Sequence, residues 1–551
     1  MSTAYMLVDV TYAGTVIRLA TDALDIEDAA TGDTYSYWPG IEALTVSTAL
    51  NFLQASAGSL SIPVQSTFPV NVGALHAAGH QLARSPVEVS IWTAGTDYAE
   101  RVILARGVVS DPEWGEPAEP VAFSVEDAAT VNPSTVPSAT EQVDGWTWPG
   151  SVLTLATEDL GVVYPRVYGH PGYIGGWVAG SQGVWASYVD GPDGYQLIVA
   201  GHAVDTPYIR LTTDQQTTPV QFRVVQVEDS RGQIVSLVPY FADYPTDTLS
   251  DYVDADGQHV YGLRATPEAT AYQPTTDAPI QVYATWYDPV DVTRGGLSPL
   301  AGDVIMDMLR LSGMTIDYGR MAAAAGLLTT YRFDCVVDAR VKPLDWLQAQ
   351  ILPLLPVSVD RSGDGASLIV WRYDATAQDV TAVLDADADP LIERATNISA
   401  DSSSIANRWT LRYRYSVRTG QYTDSVYRGN AEVVVDGATQ RAEPDAYCIA
   451  SQGRYGIIER VIDTACVYDE TTAGAILAWM ARAYAFPRRT VSYVVPSAYG
   501  LHKGQIVMLT DAKVTIADQL CIVSDLQIDG TGTDAVTLLM IEDPQRDAKV
   551  G

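Results

Sequence analysis

The hydrophobic period changes near residue 490, and this change constrains the fold of the chain more than any other sequence feature. Before it, apolar side chains recur every three or four residues, at Ala473, Ile476, Leu477, Met480 and Tyr484. Such spacing is typical of the buried face of an amphipathic helix. The pattern predicts a helix over residues 472–484, which ends before Pro487 because a proline disfavours helical backbone in its predecessor.

After this helix the apolar residues alternate in twos. Residues 490–495 are predicted to form a strand, and Lys503-Gly504 marks a turn. Alternation continues in the pairs Ile506/Met508 and Leu520/Ile522, which is typical of strands buried on one face. A helix followed directly by such strands predicts an α+β module at this end of the chain.

The first 160 residues carry strand signals as well. Two hairpins are predicted, one with strands over 6–9 and 16–19 and the other with strands over 87–92 and 101–109. Their turns are Ala13-Gly14 and residues 94–97, where glycine permits the reversal. A further strand is predicted over 120–126, whereas the segment 111–117, with two prolines, is predicted not to continue a sheet.

A Thr/Ser/Pro-rich stretch over 129–140 predicts a linker, and the Val-, Tyr- and Thr-rich region after it predicts a β-domain to about residue 287. This domain carries several aromatic residues that are either strand residues or platforms for stacking on sugars. They are Tyr240, Tyr244, Tyr252, Tyr272, Tyr283 and Trp286.

The following region combines helices and strands. One helix is predicted to start at Ser298-Pro299, with proline in its first turn, and to end at Gly313. Its apolar stripe consists of Leu300, Val304, Ile305, Met308 and Leu309. A second helix is predicted with Pro343 in its first turn and with Leu344, Leu347, Ile351 and Leu355 on one face. Strands are predicted over 357–359 and 367–373, around the glycine-rich turn 360–365, and again over 409–415.

Several of these segments resemble, in the same order, those of bacteriophage tail hub proteins, the ring-forming proteins at the tip of the tails of long-tailed phages. The family's "leucine-x-x-Gly-(Asp/Gln)-hydrophobic" turn is similar to residues 501–506 here. Its paired strands are similar to 104–109 and 122–125, and its "hydrophobic-x-Pro-x-hydrophobic-Tyr-Gly" segment to 163–169. Its "Trp-Leu" helix and Trp-bearing return strand are similar to Trp346-Leu347 and Trp371.

The resemblance implies a β-rich, multidomain α+β fold with barrel-like tube domains, short helices and an inserted β-domain. It implies a structural virion protein that forms a homotrimeric hub ring in the baseplate or tail tip. Such a ring closes the tail tube, joins it to tip or fibre proteins and opens for DNA ejection. The implied partners are further copies of the chain, the distal tail or tube protein, the tape-measure protein, and tip or fibre proteins. The implied location is the distal end of the virion tail, after synthesis in the host cytoplasm.

Four domains are predicted on this basis. They are an N-terminal barrel-like hub domain over 1–160, a β-rich inserted domain over 161–290, a helix-and-hairpin domain over 291–400, and a tube-like α+β hub domain over 401–551. Two tube-like domains in each of three copies would match the sixfold symmetry of a tail tube.

The formal net charge of −34, with only four lysines, predicts a surface that repels nucleic acid and argues against groove binding. It is consistent with an acidic host proteome, or with a channel wall that repels DNA phosphates. No apolar run is long enough to span a membrane. The first residues lack the basic region of a secretion signal.

The residues that could carry chemistry do not form a recognisable motif, so no catalytic, cofactor or metal residue is assigned and no enzyme activity is expected. Four cysteines (Cys335, Cys448, Cys466 and Cys521) have apolar neighbours and are interpreted as buried thiols, with an iron–sulfur cluster as the alternative. His76 and His80 lack the further ligands of a zinc site. Asp385, Asp387 and Asp389 alternate, but lack the glycine of a calcium loop.

Two other functions remain open at the sequence level. The aromatic, acidic region over 165–290 is compatible with a tail protein that binds or degrades surface polysaccharide, because catalytic carboxylate pairs are set by distance in space. The third hypothesis is another structural component of the baseplate.

Overall fold

A computed structural model of the protein describes residues 4–44, 46–47, 61–116, 119–127, 133–138, 163, 166–169, 297–337, 339–361, 363, 365–416, 421–430, 432–435, 438–528 and 532–542, together with short strands between residues 184 and 283. It confirms the predicted fold class, a β-rich α+β architecture with several sheets and short helices. The predicted domain boundaries remain predictions.

The N-terminal part forms a nine-stranded sheet in the order β3-β4-β2-β1-β8-β9-β10-β7-β5. Its elements are β1 (Ala4–Tyr12), β2 (Thr15–Ala20), β3 (Leu24–Glu27), β4 (Thr34–Pro39), β5 (Ile41–Leu44), β7 (Ser61–Ser66), α1 (Val72–Ala77), β8 (Pro86–Thr93), β9 (Val102–Glu113) and β10 (Val121–Glu126). The short strand β6 (Val46–Ser47) belongs to another sheet.

Both predicted N-terminal hairpins are confirmed. β1 pairs with β2 across Ala13-Gly14, where φ is +52° and +78°, as a two-residue turn between twisted strands requires. β8 pairs with β9 across the second predicted turn. The segment 111–117 differs from the prediction, because β9 continues to Glu113. The register against β10 shifts here and Asp111 has φ of +46°, so a bulge accommodates Pro112 within the strand.

The linker and inserted regions are described only in part. Within the linker, residues 133–138 are described, and Val136 makes an isolated antiparallel bridge with Val341. β11 (Arg166–Tyr168) pairs with β23 (Cys335–Val337). The strands between them are β12 (Val184–Trp185), β13 (Ser187–Gly191), β14 (Gly194–Ala200), β15 (Tyr208–Ile209), β16 (Val220–Gln221), β17 (Val225–Glu228), β18 (Ile234–Phe241), β19 (Asp251–Val253), β20 (His259–Tyr261), β21 (Leu263–Arg264) and β22 (Gln281–Tyr283). The six aromatic side chains singled out in this region lie outside the described side chains.

The middle region packs three helices beside a hairpin. The helices are α2 (Ala301–Leu311), α3 (Tyr318–Gly326) and α4 (Pro343–Gln350), and β24 (Val357–Asp360) pairs with β25 (Ser367–Val370). α2 begins at Ala301, two residues after Pro299, so this proline precedes the first turn instead of occupying it. α4 does begin with proline, as predicted, since the first turn needs no donor from that residue.

The C-terminal part contains an eight-stranded sheet and a four-stranded sheet. The first follows the order β26-β36-β37-β38-β35-β27, with β28 also on β35 and β6 also on β37; the second follows β33-β30-β29-β34. The elements are β26 (Ala382–Asp385), β27 (Glu393–Arg394), β28 (Ser399–Asp401), β29 (Arg408–Ser416), β30 (Gln421–Gly429), β31 (Glu432–Val435), β32 (Ala438–Arg441), β33 (Glu443–Pro444), α5 (Ala446–Tyr455), β34 (Glu459–Asp463), α6 (Glu470–Tyr484), β35 (Arg488–Pro496), β36 (Ile506–Asp511), β37 (Ile516–Ile528) and β38 (Thr533–Met540).

Helix α6 belongs to the largest hydrophobic core among the described residues. Its predicted stripe is buried except for Tyr484, which is partly buried, and Trp479, Ala481 and Ala483 on other sides of the helix are buried too. Trp479 Nε1 donates a hydrogen bond to the carbonyl oxygen of Leu354, 2.9 Å away. Asp469 caps the helix by accepting a hydrogen bond from the Thr472 amide. The sequence pattern therefore located the helix correctly but underestimated how much of its circumference is covered.

Candidate assembly site

The two large sheets are connected by one short stretch of chain. β5 forms an edge of the N-terminal sheet, where Leu44 pairs with Val64 of β7. Directly afterwards, Val46 and Ser47 in β6 pair with Ile528 and Gln527 in β37 of the C-terminal sheet. The same run of residues therefore extends both sheets and places the first and the last β-regions of the sequence beside each other.

Local packing determines the path of this stretch. The amide of Gly40 donates to the Ala20 carbonyl oxygen, and the Gly40 carbonyl accepts from the Thr67 amide at 2.7 Å. A Cβ atom on Gly40 would collide with the backbone oxygen of Thr67. Glycine is thus required at the corner where the chain leaves β4 and enters β5.

Ile528, at the end of β37, joins the hydrophobic interiors of the two sheets. Its side chain packs against the N-terminal core and also against the core of the C-terminal sheet. Backbone pairing and shared apolar contact together connect the two sheets here.

A second connection is made by the turn of the β24–β25 hairpin. The Gly363 amide donates to the carbonyl oxygen of Leu104 in β9, at 2.8 Å. Arg361 forms an ion pair with Asp127, just after β10, with 3.3 Å between Nη1 and Oδ2 and exposed fractions of 7% and 13%. Burial lowers the pKa of Arg361 and Asp127 opposes this effect. The N-terminal sheet is therefore held to the middle region through a largely buried charge pair.

The same hairpin also meets charges from the other side. Asp360 forms an ion pair with Arg320 of α3, with 2.9 Å between Oδ2 and Nη1. Arg320 also forms an ion pair with Asp317. Lys503, in the turn before β36, is only 7% exposed and lies 3.4 Å from Asp525. Burial lowers the pKa of Lys503, while Asp525 and Asp360 oppose this. Charged side chains, of which Asp360 and Lys503 are the most deeply buried, thus line the contacts among three regions of the chain.

All four cysteines are free and buried, as predicted. The thiols of Cys335 and Cys466 share a hydrogen bond. Burial raises the pKa of Cys335, and this hydrogen bond raises it further. Burial raises the pKa of Cys448 to about 12 and also raises that of Cys521. Within the described residues, no group of three or more His, Cys, Asp or Glu side chains is arranged to hold a metal ion.

The other residues considered as ligands have structural contacts. His76 lies against Trp114, with 5.2 Å between the ring centroids. Asp385 accepts from the amides of residues 387 and 388 in its own turn, and Asp387 accepts from the Ala512 amide. The phenol of Tyr499 donates to Asp389. The alternating carboxylates therefore fasten a turn to the C-terminal sheet.

A groove of about 410 Å³ lies between the end of α3, the strand β25 and helix α6. Its aromatic lining includes Trp371, Tyr373 and Trp479, but these rings are 2%, 9% and 7% exposed. Rings so deeply buried cannot offer a face to a sugar. Tyr331, which also lines the groove, is only partly buried.

Local sequence patterns did not reveal most of the contacts of this site. The alternation that predicts a strand does not reveal its partner, so the pairing of β6 with β37 could not be found. The only local signal was Gly40 after Pro39, which marks a turn. Among the described residues, no helix has the length and apolar character needed to cross a lipid bilayer.

Neither a protein-family model nor a curated protein matches the chain. Among solved structures it is similar to a tail protein from Neisseria meningitidis, at 8% identity and a TM-score of 0.34, over 98% of this chain and 97% of that one. It is also similar to a prophage tail protein from Listeria monocytogenes, at 8% identity and a TM-score of 0.31, over 96% and 97%. A 43 kDa tail protein of prophage MuSo2 from Shewanella oneidensis matches at 10% identity and a TM-score of 0.32, over 98% of both.

Proposed function

We propose that this protein is a structural component of a phage tail or baseplate, and that three copies form its hub ring. The observation that carries this proposal is the pairing of β6 with β37, which joins the N-terminal sheet, next to its edge strand β5, to the end of β37 in the C-terminal sheet. Each copy then contributes two adjacent β-units to a ring. Three copies supply six units, the number needed to continue a sixfold tail tube.

In this proposal the action of the protein is mechanical, and no residue is catalytic. The ring closes the distal end of the tube, binds the distal tail or tube protein and the tape-measure protein, carries tip or fibre proteins, and opens when DNA is ejected. A net charge of −34 fits such a channel, since an acidic wall repels phosphates and does not retain the passing DNA. The protein would be found at the distal end of the virion tail.

The first test is the mass of the purified chain by light scattering at moderate salt. The proposal expects about three times 59.3 kDa, with ring-shaped particles in negative stain. A monomer at every concentration and salt, without rings, would contradict the ring. Release of reducing sugar from host polysaccharide would instead favour the polysaccharide-degrading alternative.

A pair of variants tests whether trimer formation depends on the junction between the two sheets. Ile528→Asp places a charge where the two cores meet, so we expect loss of the trimer. Val102→Asp is the control, because Val102 is 60% exposed on β9. Loss of assembly in both variants, or in neither, would argue against a role for the sheet junction.

A further inference from the structure

Two strands that end their sheets carry side chains of opposite charge. In the described residues, β3 and β5 stand at the two ends of the strand order of the nine-stranded sheet, and β34 ends the four-stranded sheet. An uncovered edge strand offers unpaired backbone groups, which natural proteins cover, charge or use for binding. The question is what lies against these two edges.

The β34 edge, defined here as Arg454, Tyr455, Ile457, Arg460 and Val461, combines apolar and cationic groups. Ile457 and Val461 are 56% and 54% exposed although both are large and aliphatic. Exposed aliphatic side chains beside arginine and tyrosine are the composition of protein interfaces. This edge has the character of a contact surface.

Arg460 is the most informative residue of the β34 edge. Its guanidinium lies over the ring of Tyr484, 5.7 Å from the centroid. Within the described part of the chain, no carboxylate lies within ion-pair distance of it, whereas Arg408 and Arg412 on the adjacent strand are paired with Glu459 and Asp463. A cation held in place without a carboxylate is available for an acidic partner.

The β3 edge, defined here as Asp22, Asp25, Glu27 and Asp33, has the opposite charge. All four side chains are exposed. From residue 19 to residue 83 the sequence contains six Asp and Glu but no Lys or Arg. From residue 401 to residue 489 it contains eleven Arg against ten Asp and Glu, although the whole chain carries −34. Copies of so acidic a chain repel one another unless surfaces of opposite sign meet.

We infer that the β3 edge of one copy docks on the β34 edge of the next copy. This inference rests on the proposed function and specifies its subunit contact. Two different surfaces of the same chain make a heterologous contact, and such contacts generate a closed ring when the rotation closes. The docking brings acidic side chains to Arg454 and Arg460, and covers the exposed Ile457 and Val461.

The test uses charge reversal in the full-length chain, with sedimentation velocity over a range of concentrations. Arg454→Glu with Arg460→Glu gives one variant, and Asp25→Lys with Glu27→Lys gives the other. Each places like charges at the contact, so each is expected to raise the concentration for half-assembly at least tenfold. The four substitutions combined restore opposite charges, and are expected to return it to within about threefold of the parent.

Two controls make the result specific. Lys342→Glu with Lys513→Glu changes the net charge by the same amount as the arginine variant, at other exposed positions. This variant is expected to assemble like the parent, and raising the salt concentration is expected to weaken the parent assembly. Circular dichroism and thermal melting establish that each variant is folded.

The outcomes separate the two proposals. A parent trimer that is unaffected by either charge reversal, or that the fourfold variant fails to restore, overturns the inferred contact and leaves the hub proposal standing. A parent chain that never forms a trimer overturns the ring itself. A mixture of the two double variants should form pairs but not closed trimers, because three positions cannot alternate between two types of subunit.

Discussion

The N-terminal sheet encloses a core made by its own strands and short helix, whereas the C-terminal sheet shares its core with helix α6. Every buried member of the N-terminal core lies between Met6 and Val125. In the C-terminal sheet, Ile506, Ile522 and Leu539 belong to the core that contains α6, while Val507 and Leu509 face a second core. The N-terminal strands are buried on a second face as well, but that core, around Leu7, Ala20 and Trp92, also lies within the N-terminal part. A sheet whose cores come from its own region can form an independent unit, but a sheet that shares its core with other elements depends on them.

The largest expected effect tests this difference in dependence. Leu19 and Leu539 are 0% and 2% exposed in the two cores, and changing either to alanine should cost about 2–5 kcal/mol of unfolding free energy. We expect Leu19→Ala to increase amide exchange in the N-terminal sheet alone. Leu539→Ala should increase exchange in α6 and the C-terminal sheet together.

Hydrogen exchange with mass spectrometry, at the same urea concentration for both variants, measures this directly. If Leu19→Ala raised exchange in α6 as much as in β1 and β2, the N-terminal sheet would not be an independent unit. The contrast between the two sheets would then be wrong.

The second prediction concerns the charge pair that connects the N-terminal sheet to the middle region. Arg361→Ala leaves Asp127 without this partner in a largely buried contact, and a loss of about 3 kcal/mol is expected because a buried ion loses its compensation. Arg106→Ala removes an ion pair to Glu88 in which the arginine is 44% exposed. That control should cost no more than about 1 kcal/mol. Equal midpoints in urea for the two variants would contradict the role of Arg361.

The sequence predicted individual elements far better than their partners. The stripe of α6 and the Ala13-Gly14 hairpin could be identified because their signals are local. The bulge at Asp111 was missed because proline normally ends a strand, and only the cross-strand register to β10 shows how it is tolerated.

The candidate assembly site lay beyond local signals altogether. Ile528 and Val46 are almost the full length of the chain apart in sequence, and no periodicity relates them. The ion pair of Arg361 with Asp127 is similarly non-local. Charge composition is the exception, because the cation-free stretch over 19–83 can be read directly from the sequence. Its meaning depends on the position of β3 at a sheet edge, which only the fold provides.

The third prediction compares a constrained glycine at the sheet junction with a free one in α6. Gly40→Ala should cost about 1–3 kcal/mol, because the new methyl group meets the backbone of Thr67. Gly474→Ala, which has no atom within 4 Å of the new Cβ, should stabilise the protein by up to about 1 kcal/mol, since alanine favours the helix. Thermal melting of both variants checks the pair. A stabilising Gly40→Ala would show that the corner between β4 and β5 is less constrained than the close approach to Thr67 implies.

The smallest expected effects concern stability as a function of pH. Its sign differs between a buried carboxyl group in the N-terminal sheet and a buried lysine near the C-terminal sheet. In the N-terminal sheet, burial raises the pKa of Asp9 above its ordinary value of 3.8, although Arg18 is 3.9 Å away. A raised carboxyl pKa contributes stability below pH 3.8 that is lost as the pH rises through the folded-state pKa. Near the C-terminal sheet, burial lowers the pKa of Lys503 below its ordinary value of 10.5. A lowered lysine pKa disfavours folding at neutral pH, and this cost disappears as the pH rises from the folded-state pKa to 10.5.

Asp9→Asn and Lys503→Met should therefore both stabilise the protein at pH 7, because each removes a poorly solvated charge. They should flatten different parts of the curve of unfolding free energy against pH, the first on the acidic side and the second on the alkaline side. Urea unfolding of both variants and the parent from pH 4 to pH 10 measures these slopes. A Lys503→Met variant that is destabilised at every pH would mean that the 3.4 Å ion pair with Asp525 outweighs the burial of the ammonium group. The charge would then strengthen the C-terminal junction, whereas Asp9 would still weaken the N-terminal sheet.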